Sequence, residues 1–430
     1  MKKVTCVVIG YGDRGSVYAN FAITNPDEFE IVGVVEPNKF RLNQAKEKFQ
    51  LSDKQLFSSF EEFIKLPKLA DSVILATMDE LHFSQGKAVL EMGYQLLIEK
   101  PVTNNIKELN ILKDVAKKNN RIMMVCHVLR YAPFYVSIKN AILSGKIGKI
   151  IDISTGEYVG LAHTSSSFCR GKWRKESLCG STMLLQKCCH DLDLICWLNN
   201  KTTPKSIVSY GSRTNLVKEN APKDSTDNCY TCPHLNDCKY SAKSFYVDNK
   251  CFDFLVFQYY EKPLNEITNE EIIERFKNGD QFGKCMYKTD ADIVDHQKVL
   301  IEFEDGSTCC HTMNSGVPRA GRYIHILGTD GEIEGFQESN YYLIRKQDFV
   351  TASYKEIKVD VSKDIEDGVA HGGGDIGLIR DFVRVVRGEK PSVSTTSIED
   401  SINGHQCVFL AEKSRLNKTI EYFNYSKGEK

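Results

Sequence analysis

The sequence predicts an α/β protein in two parts: a doubly wound parallel sheet first, then a second domain that combines strands and helices in another order. Three observations predict this. Short apolar runs alternate with helical stretches over residues 4–126, the pattern of a parallel sheet covered on both faces. The first apolar run enters the turn Gly10-Tyr11-Gly12-Asp13-Arg14-Gly15, and a helical pattern follows it. Beyond residue 150, strand-like segments succeed one another through tight turns such as Asp305-Gly306 and Asp330-Gly331.

In chain order, strands are expected at 4–9, 29–36, 71–77, 94–99 and 121–125, with helices at 15–23, 37–49, 59–65, 80–92 and 104–119. The glycine turn has the form G-x-G-x-x-G between a strand and a helix, which is the arrangement dinucleotide binding requires. Gly10 permits the turn, Gly12 lets backbone approach a pyrophosphate, and Gly15 lets helix pack on strand, while the helix start with Asp13 and Arg14 faces the phosphates. Glu36 ends the second strand about twenty residues on, where an acid accepts ribose hydroxyls and repels a 2′-phosphate. That favours NAD over NADP. Arg41 nearby is the residue type that accommodates such a phosphate, and Glu36 can equally cap the helix that follows it. Thr77 and Glu99-Lys100-Pro101 end later strands at the carboxyl edge, where ligands bind in open α/β sheets.

Net charge is −1 over 430 residues, so electrostatics favour neither nucleic acid nor an anionic membrane. No apolar run reaches transmembrane length. The apolar run after Met1-Lys2-Lys3 ends in the glycine turn without a cleavage site, so it reads as a strand and the expected location is the cytoplasm. Fifteen cysteines are scattered through the chain; Cys6, Cys126, Cys196 and Cys407 read as small buried hydrophobes. Cys229-x2-Cys232-x5-Cys238-x12-Cys251 is different: C-x-x-C has metal-ligand spacing, and four thiolates would close a structural zinc site. An iron–sulfur cluster, free packed thiols and a disulfide are the other readings of that spacing. The group falls in a polar, irregular stretch at about 215–289, read as an insertion in the second domain, where Thr268-x-x-Glu271 starts one short helix.

The strongest candidate for chemistry is the segment Gln186-Lys187-Cys188-Cys189-His190-Asp191-Leu192-Asp193. Lys187, His190 and Asp193 are spaced by three and so share a helix face. A neutral imidazole can take an alcohol's proton while hydride leaves its carbon, and a lysine favours the developing alkoxide. Ordinary solvated charges at a helix start would give the same spacing. His163, Arg170 and Trp173 lie in a loop that either hydrogen-bonds a polyol or merely covers the site. His371-Gly372-Gly373-Gly374-Asp375 is a second glycine-rich stretch, either a ligand-side loop or a flexible lead into a helix at 376–386.

The glycine turn, Thr77-x4-His82, Glu99-Lys100-Pro101 and His127-Val128-Leu129-Arg130-Tyr131-Ala132-Pro133 together resemble the Gfo/Idh/MocA family of nicotinamide-dependent sugar and cyclitol oxidoreductases, over the whole chain. The resemblance implies an N-terminal Rossmann domain, residues 1–128, and an α+β domain, residues 129–430, with an open, largely antiparallel sheet that shapes the substrate site. It implies Lys100, Lys187 and His190 as the catalytic set. Cofactor contacts fall on Gly10, Gly12, Asp13, Arg14, Gly15, Glu36, Arg41, Thr77, His82, Glu99 and Lys100, and substrate contacts on Arg130, His163, Arg170, Trp173, Asp193 and His371. Gln186 stands where many members carry an aspartate. The implied activity is hydride transfer between NAD and a hydroxyl-bearing carbon of a sugar, glycoside or cyclitol. Two alternatives are redox-neutral glycoside cleavage through a keto-sugar with tightly bound NAD, and a non-catalytic cofactor-sensing regulator. The expected assembly is a homodimer or homotetramer.

Overall fold

The computed structural model describes residues 2–258, 260–365 and 370–424. Strands β1 (Val4–Ile9), β2 (Phe29–Val35), β3 (Leu56–Phe57), β4 (Ser72–Leu75), β5 (Gln95–Ile98) and β6 (Met123–Val125) form a parallel sheet in the order β3-β2-β1-β4-β5-β6. Alternation along each strand sends side chains to opposite faces. Cys6 and Val8 pack with Ile74, Leu97 and Met124 on one face. Val7 and Ile9 pack with Val73, Leu75, Leu96 and Ile98 on the other. Both faces are therefore apolar, which is why these strands read as unbroken hydrophobic runs. The reversal of strand order between β1 and β4 opens a crevice at their carboxyl ends, where Gly10 and Thr77 lie.

The second sheet has nine strands. β7 (Ile150–Gly160), β8 (Pro204–Ser212), β9 (His296–Phe303), β10 (Thr308–Val317), β11 (Gly321–Gly328), β12 (Glu332–Phe336), β13 (Tyr341–Asp348), β14 (Ser353–Asp360) and β15 (Glu421–Tyr422) are ordered β14-β13-β12-β11-β7-β10-β9-β8-β15. All its pairings are antiparallel except β7 with β10. β10 and β11 are consecutive in sequence but not neighbours, because β7 lies between them. One face carries the main core, with Trp197 and Ile195 of helix Cys189–Leu198, Phe134 of helix Pro133–Leu143, and Val299, Met313, Ile326 and Ile344 from the strands.

A single cut at residue 128 does not describe the packing. Helix Gly374–Val386 returns to the parallel sheet, where Leu378, Ile379, Phe382 and Val383 join Tyr18 and Val128. Ile398 and Ile402, opening helix Ile398–Asn417, join the core on its opposite face. The Ser397 hydroxyl caps that helix by accepting from Asp400 N–H. The stretch at 215–289 has an ordered core of its own, in which Tyr246, Ile272, Phe276 and Phe282 pack around helix Asn269–Lys277, started by the Thr268/Glu271 capping box. Cys6, Cys126, Cys196 and Cys407 are buried, and none of the fifteen cysteines, each among the described residues, is in a disulfide.

Gly404 is the point where helices Ile398–Asn417 and Cys189–Leu198 touch. A Cβ there would meet Asp193 Cα at 2.6 Å and its N at 2.9 Å. Gly404→Ala is expected to cost ~1–3 kcal/mol through forced helix separation, seen as a lower urea midpoint. An unchanged midpoint would contradict this packing.

Candidate active site

The glycine turn is shaped for a phosphate. Gly10 has φ +87°, and a Cβ on it would meet Ala76 O at 2.5 Å; one on Gly15 would meet Gly10 O at 1.9 Å. These two glycines are demanded by backbone packing. At Gly12 the nearest atom to an added Cβ is Arg41 Nη1 at 3.6 Å, so space stays open above the turn with a guanidinium beside it. Glu36, buried at the end of β2, accepts from Tyr11 N–H at 2.8 Å and Asn38 N–H at 3.0 Å. It fixes the turn, and each carboxylate oxygen keeps a second lone pair for a ribose hydroxyl. Asp13 stays exposed in the first helical turn. These features fit a dinucleotide.

Three other residues of the expected cofactor set brace the site from behind. The Arg14 guanidinium is turned under the glycine turn, donating to Glu99 Oε1 at 3.1 Å, to the Tyr18 hydroxyl and to Asp375 Oδ1. Glu99 also accepts from Tyr18 Oη at 2.7 Å and from Lys100 N–H at 2.7 Å. Burial works against the Glu99 charge, but Arg14, Lys100 and the Tyr18 hydroxyl overcome it and hold the carboxyl below its ordinary value. His82 is buried, its Nδ1 2.7 Å from Pro101 O and its Nε2 3.2 Å from Thr77 O. It ties the ends of β4 and β5 together. The Thr77 hydroxyl donates to Gln85.

Lys100 follows β5 and donates from Nζ to the Gln186 carbonyl at 2.9 Å. That carbonyl belongs to a widened π-helical turn, Leu184–Cys188, which leads into helix Cys189–Leu198; such turns recur at functional sites. His190 opens that helix. Burial first, then the charges of Lys100, His127 and Arg322, hold its pKa well below the usual histidine value. Its imidazole is neutral, and its Nδ1 is buried without a partner. Lys187 lies 3.2 Å from Glu157 Oε1 on β7; Glu157 also pairs with Arg322 at 2.8 Å, and Arg322 with Asp191 at 3.0 Å. Gln186, in the position expected for an acid, donates from Nε2 to Asp79. Asp79 comes from the loop after β4 and also accepts from the Ser181 hydroxyl at 2.7 Å.

His163 and His371 reach the same place. Burial, then Lys187 and Arg322, push the His163 pKa well below normal, and its ring stacks on Phe252 at 4.8 Å. His371 has φ +51° and stands 6.3 Å, ring to ring, from His190, with its Nδ1 3.1 Å from Asp375. Trp173 has a buried, unpartnered indole N–H. Lys172 beside it stands 4.4 Å over its ring and reaches within 3.6 Å of Met78 Sδ, across the cleft from the Rossmann side.

Four sequence expectations change. Arg130 is fully buried and spends its guanidinium on both oxygens of Asp193, at 2.6 Å each, and on Asp400. It is a clamp between domains, not a substrate contact. Asp193 is consumed by the same clamp, one turn below His190 and under His127. Arg170 is also fully buried and points back into the 215–289 segment. Cys251 lies apart from the other three cysteines of its group, whose cavity it does not line. The sequence reading also left Asp79, His127, Glu157 and Arg322 without a role. Asp79 and His127 sit inside motifs singled out for their neighbours; Arg322, on β11, has no local signal at all.

With this geometry in place, comparison with known proteins is decisive for the family. Residues 4–127 match the model of the oxidoreductase family, NAD-binding Rossmann fold, and residues 139–421 match that family's C-terminal alpha/beta domain. The chain belongs to the Gfo/Idh/MocA oxidoreductase family. It is 24% identical over 373 residues to the oxidoreductase YteT of Bacillus subtilis (strain 168), covering 82% of each chain. It is 29% identical over 149 residues to the scyllo-inositol 2-dehydrogenase (NAD(+)) of the same organism, covering 35% of this chain and 43% of the relative. Among solved structures, levoglucosan dehydrogenase in complex with NADH superposes with a TM-score of 0.70 at 17% identity, covering 98% of this chain and 99% of that one. This Gfo/Idh/MocA member is an NAD(P)-dependent oxidoreductase. Lys100, Lys187, His190, His163 and His371 are the expected site residues that its fold brings together.

His127, His190 and His405 form a buried imidazole group, with ring centroids 5.6 and 5.1 Å from His127. Burial is the leading cause that lowers all three pKa values, that of His405 to about 3. Folded pKa values below the unfolded value of about 6.5 mean that the unfolded chain binds more protons. Stability is therefore full above that pH and is lost as pH falls below it, by about 2 kcal/mol at pH 5 for His405 alone, with His127 and His190 acting in the same direction. Urea midpoints from pH 8 to 5 should show the drop; a flat profile would contradict neutral burial.

Proposed function

We propose that this chain oxidises or reduces a hydroxyl-bearing carbon of a sugar, glycoside or cyclitol, with NAD as the preferred cofactor. The observation that carries the reading is the convergence of Lys100, from the Rossmann side, with the buried His190: the Lys100 Nζ donates to the Gln186 carbonyl at 2.9 Å, one helical turn before the His190 imidazole. Bound NAD would supply the hydride acceptor, or as NADH the donor. In the oxidative direction His190 takes the hydroxyl proton at an imidazole nitrogen, and the Lys100 ammonium stabilises negative charge developing on that oxygen. Lys187, oriented by Glu157 and Arg322, adds a second cation on the side of the second domain. His163, His371 and the Trp173 indole N–H suit a ligand rich in hydroxyls. The names of the inositol and levoglucosan dehydrogenases among the relatives and neighbours support the same substrate class. Glu36 beside the glycine turn supports NAD, since its charge opposes a 2′-phosphate.

Hydride transfer followed at the nicotinamide absorbance, across cyclitols, anhydro-sugars and glycosides, tests this. Lys100→Met and His190→Asn are each expected to lower kcat by about 10²–10⁴-fold with NADH binding retained, and NAD should exceed NADP in kcat/KM. Full turnover in either variant would reject the assignment.

We further propose that the outer face of the nine-stranded sheet pairs with a second copy. Tyr210, Leu300 and Leu327 stand exposed on its strands at 59%, 50% and 39%, on the face turned away from the core. Light scattering after size exclusion should report a dimer or tetramer; a monomer at micromolar concentration would overturn this.

A further inference from the structure

The segment at 215–289 contains an enclosed cavity lined by four thiols, Cys229, Cys232, Cys238 and Cys285. The space open to the centre of a water-sized sphere is about 20 Å³, room for a single ion or water. Two separate stretches of chain supply the sulfurs, and backbone hydrogen bonds lock those stretches together. Cys285 N–H donates to Asp227 O at 2.8 Å, and Asn228 and Lys284 form an isolated antiparallel bridge, which brings Cys285 to the cavity that Cys229 lines. Cys229 and Cys232 flank a tight turn closed by Cys232 N–H on Cys229 O at 3.2 Å; Leu235 N–H closes the next on Cys232 O at 3.2 Å.

A buried charge points to the state of these sulfurs. Arg170 is fully buried, yet its partners are the Lys284 carbonyl at 2.7 Å, the Ser165 hydroxyl at 2.6 Å, the Tyr240 carbonyl at 2.9 Å and Cys229 Sγ at 3.2 Å. None of these is a carboxylate. A guanidinium held away from water is favoured by negative charge nearby, and Arg170 Nη2 lies against Cys229 Sγ, where a bound tetrathiolate centre would supply it. Four thiolates around a divalent cation carry a net charge of −2, which a neighbouring guanidinium offsets in part.

The other donors nearby are turned elsewhere. His234 lines the cavity, but its Nε2 is 2.8 Å from Lys223 O and its Nδ1 3.7 Å from Asp237. Cys251 is anchored by its N–H to Phe245 O, away from the cavity. The donors lining this cavity are therefore four soft sulfurs, the ligand type of a structural zinc centre.

We propose that Cys229, Cys232, Cys238 and Cys285 hold one structural zinc ion, and that Arg170 links this centre to the active-site cleft. Arg170 begins Arg170-Gly171-Lys172-Trp173, whose next turn carries Lys172 and Trp173 to the cleft. Gly171 makes the sharp reversal: a Cβ on it would meet Ser166 O at 2.0 Å. The same segment supplies Phe252, stacked on His163. The zinc thus anchors one wall of the substrate site without entering the chemistry.

Elemental analysis of the purified full chain should find about one zinc per chain, released by a mercurial thiol reagent into a colorimetric chelator. Cys285→Ser should lose that zinc and Cys251→Ser should keep it. If Cys285→Ser does not fold, cobalt(II) exchanged into the parent chain should show the absorption of a tetrahedral tetrathiolate site, and Cys251→Ser should show the same spectrum. A chain without metal, a chain holding iron and sulfide, or zinc that follows Cys251 in place of Cys285 would overturn the proposal.

Discussion

The side chain of Arg14 is the interaction on which the site's geometry depends. It leaves the helix after the glycine turn and joins Glu99, at the end of β5, to Asp375, which starts helix Gly374–Val386. Three segments far apart in sequence therefore meet on one guanidinium. Glu99 passes the constraint to Lys100 through the Lys100 N–H, and Asp375 passes it to His371 through that ring's Nδ1. The pairs are largely buried, so the Coulomb gain offsets desolvation instead of adding much net stability, whereas loss of Arg14 would strand two buried carboxylates at a cost of ~3 kcal/mol or more. Their contribution is positional. The residue that braces the glycine turn also sets the positions of Lys100 and His371.

A second clamp works at the far end of the catalytic helix. Arg130, at the junction between domains, holds Asp193 of helix Cys189–Leu198 and Asp400 of helix Ile398–Asn417. Gly404 lets those two helices touch at the backbone of Asp193. His127 sits between this clamp and His190, and His405 accepts from Val102 N–H, just past Lys100-Pro101. The E-K-P strand end and the catalytic helix are thereby tied to one helix that belongs to neither half of the chain alone. This explains why both faces of the parallel sheet are completed by residues beyond 370, and why the two sheets share one cleft.

The parallel sheet was legible because a strand buried on both faces writes itself as a short apolar run, and each of the five predicted runs became a strand. β3 has two residues and no pattern to read. In the second sheet, strand-like segments and tight turns beyond residue 150 were readable, but β10 and β11 are separated by β7, and no local signal reports a strand inserted from so far upstream. Among site residues, those at a strand end or in a motif, Lys100 and His190, were readable. Arg130 and Asp193 misled because a buried structural guanidinium–carboxylate pair and a substrate-binding one use the same residue types, and Arg170 because a guanidinium spent on buried carbonyls looks the same in sequence. Burial decides between them, and burial is a property of the fold. Cys285 was missed for a related reason: it lies 47 residues beyond Cys238, and only the Asn228–Lys284 bridge brings it alongside Cys229.

The position of Gln186 bears on how the proton is handled. An aspartate there would place a negative charge next to Lys100 and give the proton a second acceptor. In this chain the neutral amide points away to Asp79, and the Gln186 carbonyl takes the Lys100 ammonium. Asp79 is occupied by Ser181 as well, so its charge is spent joining the loop after β4 to the catalytic segment. Burial first, and then the Lys100 charge, hold the His190 imidazole below its ordinary pKa; under the function proposed above, the same ammonium would stabilise an alkoxide. The two effects are matched. The ammonium that lowers the cost of ionising a hydroxyl also lowers the basicity of the imidazole that must accept its proton, so one cation moves donor and acceptor in the same direction. A site built this way needs no acid at 186. Lys100 is held there by the Gln186 carbonyl, which accepts from its Nζ, and by the buried Glu99, which accepts from its N–H.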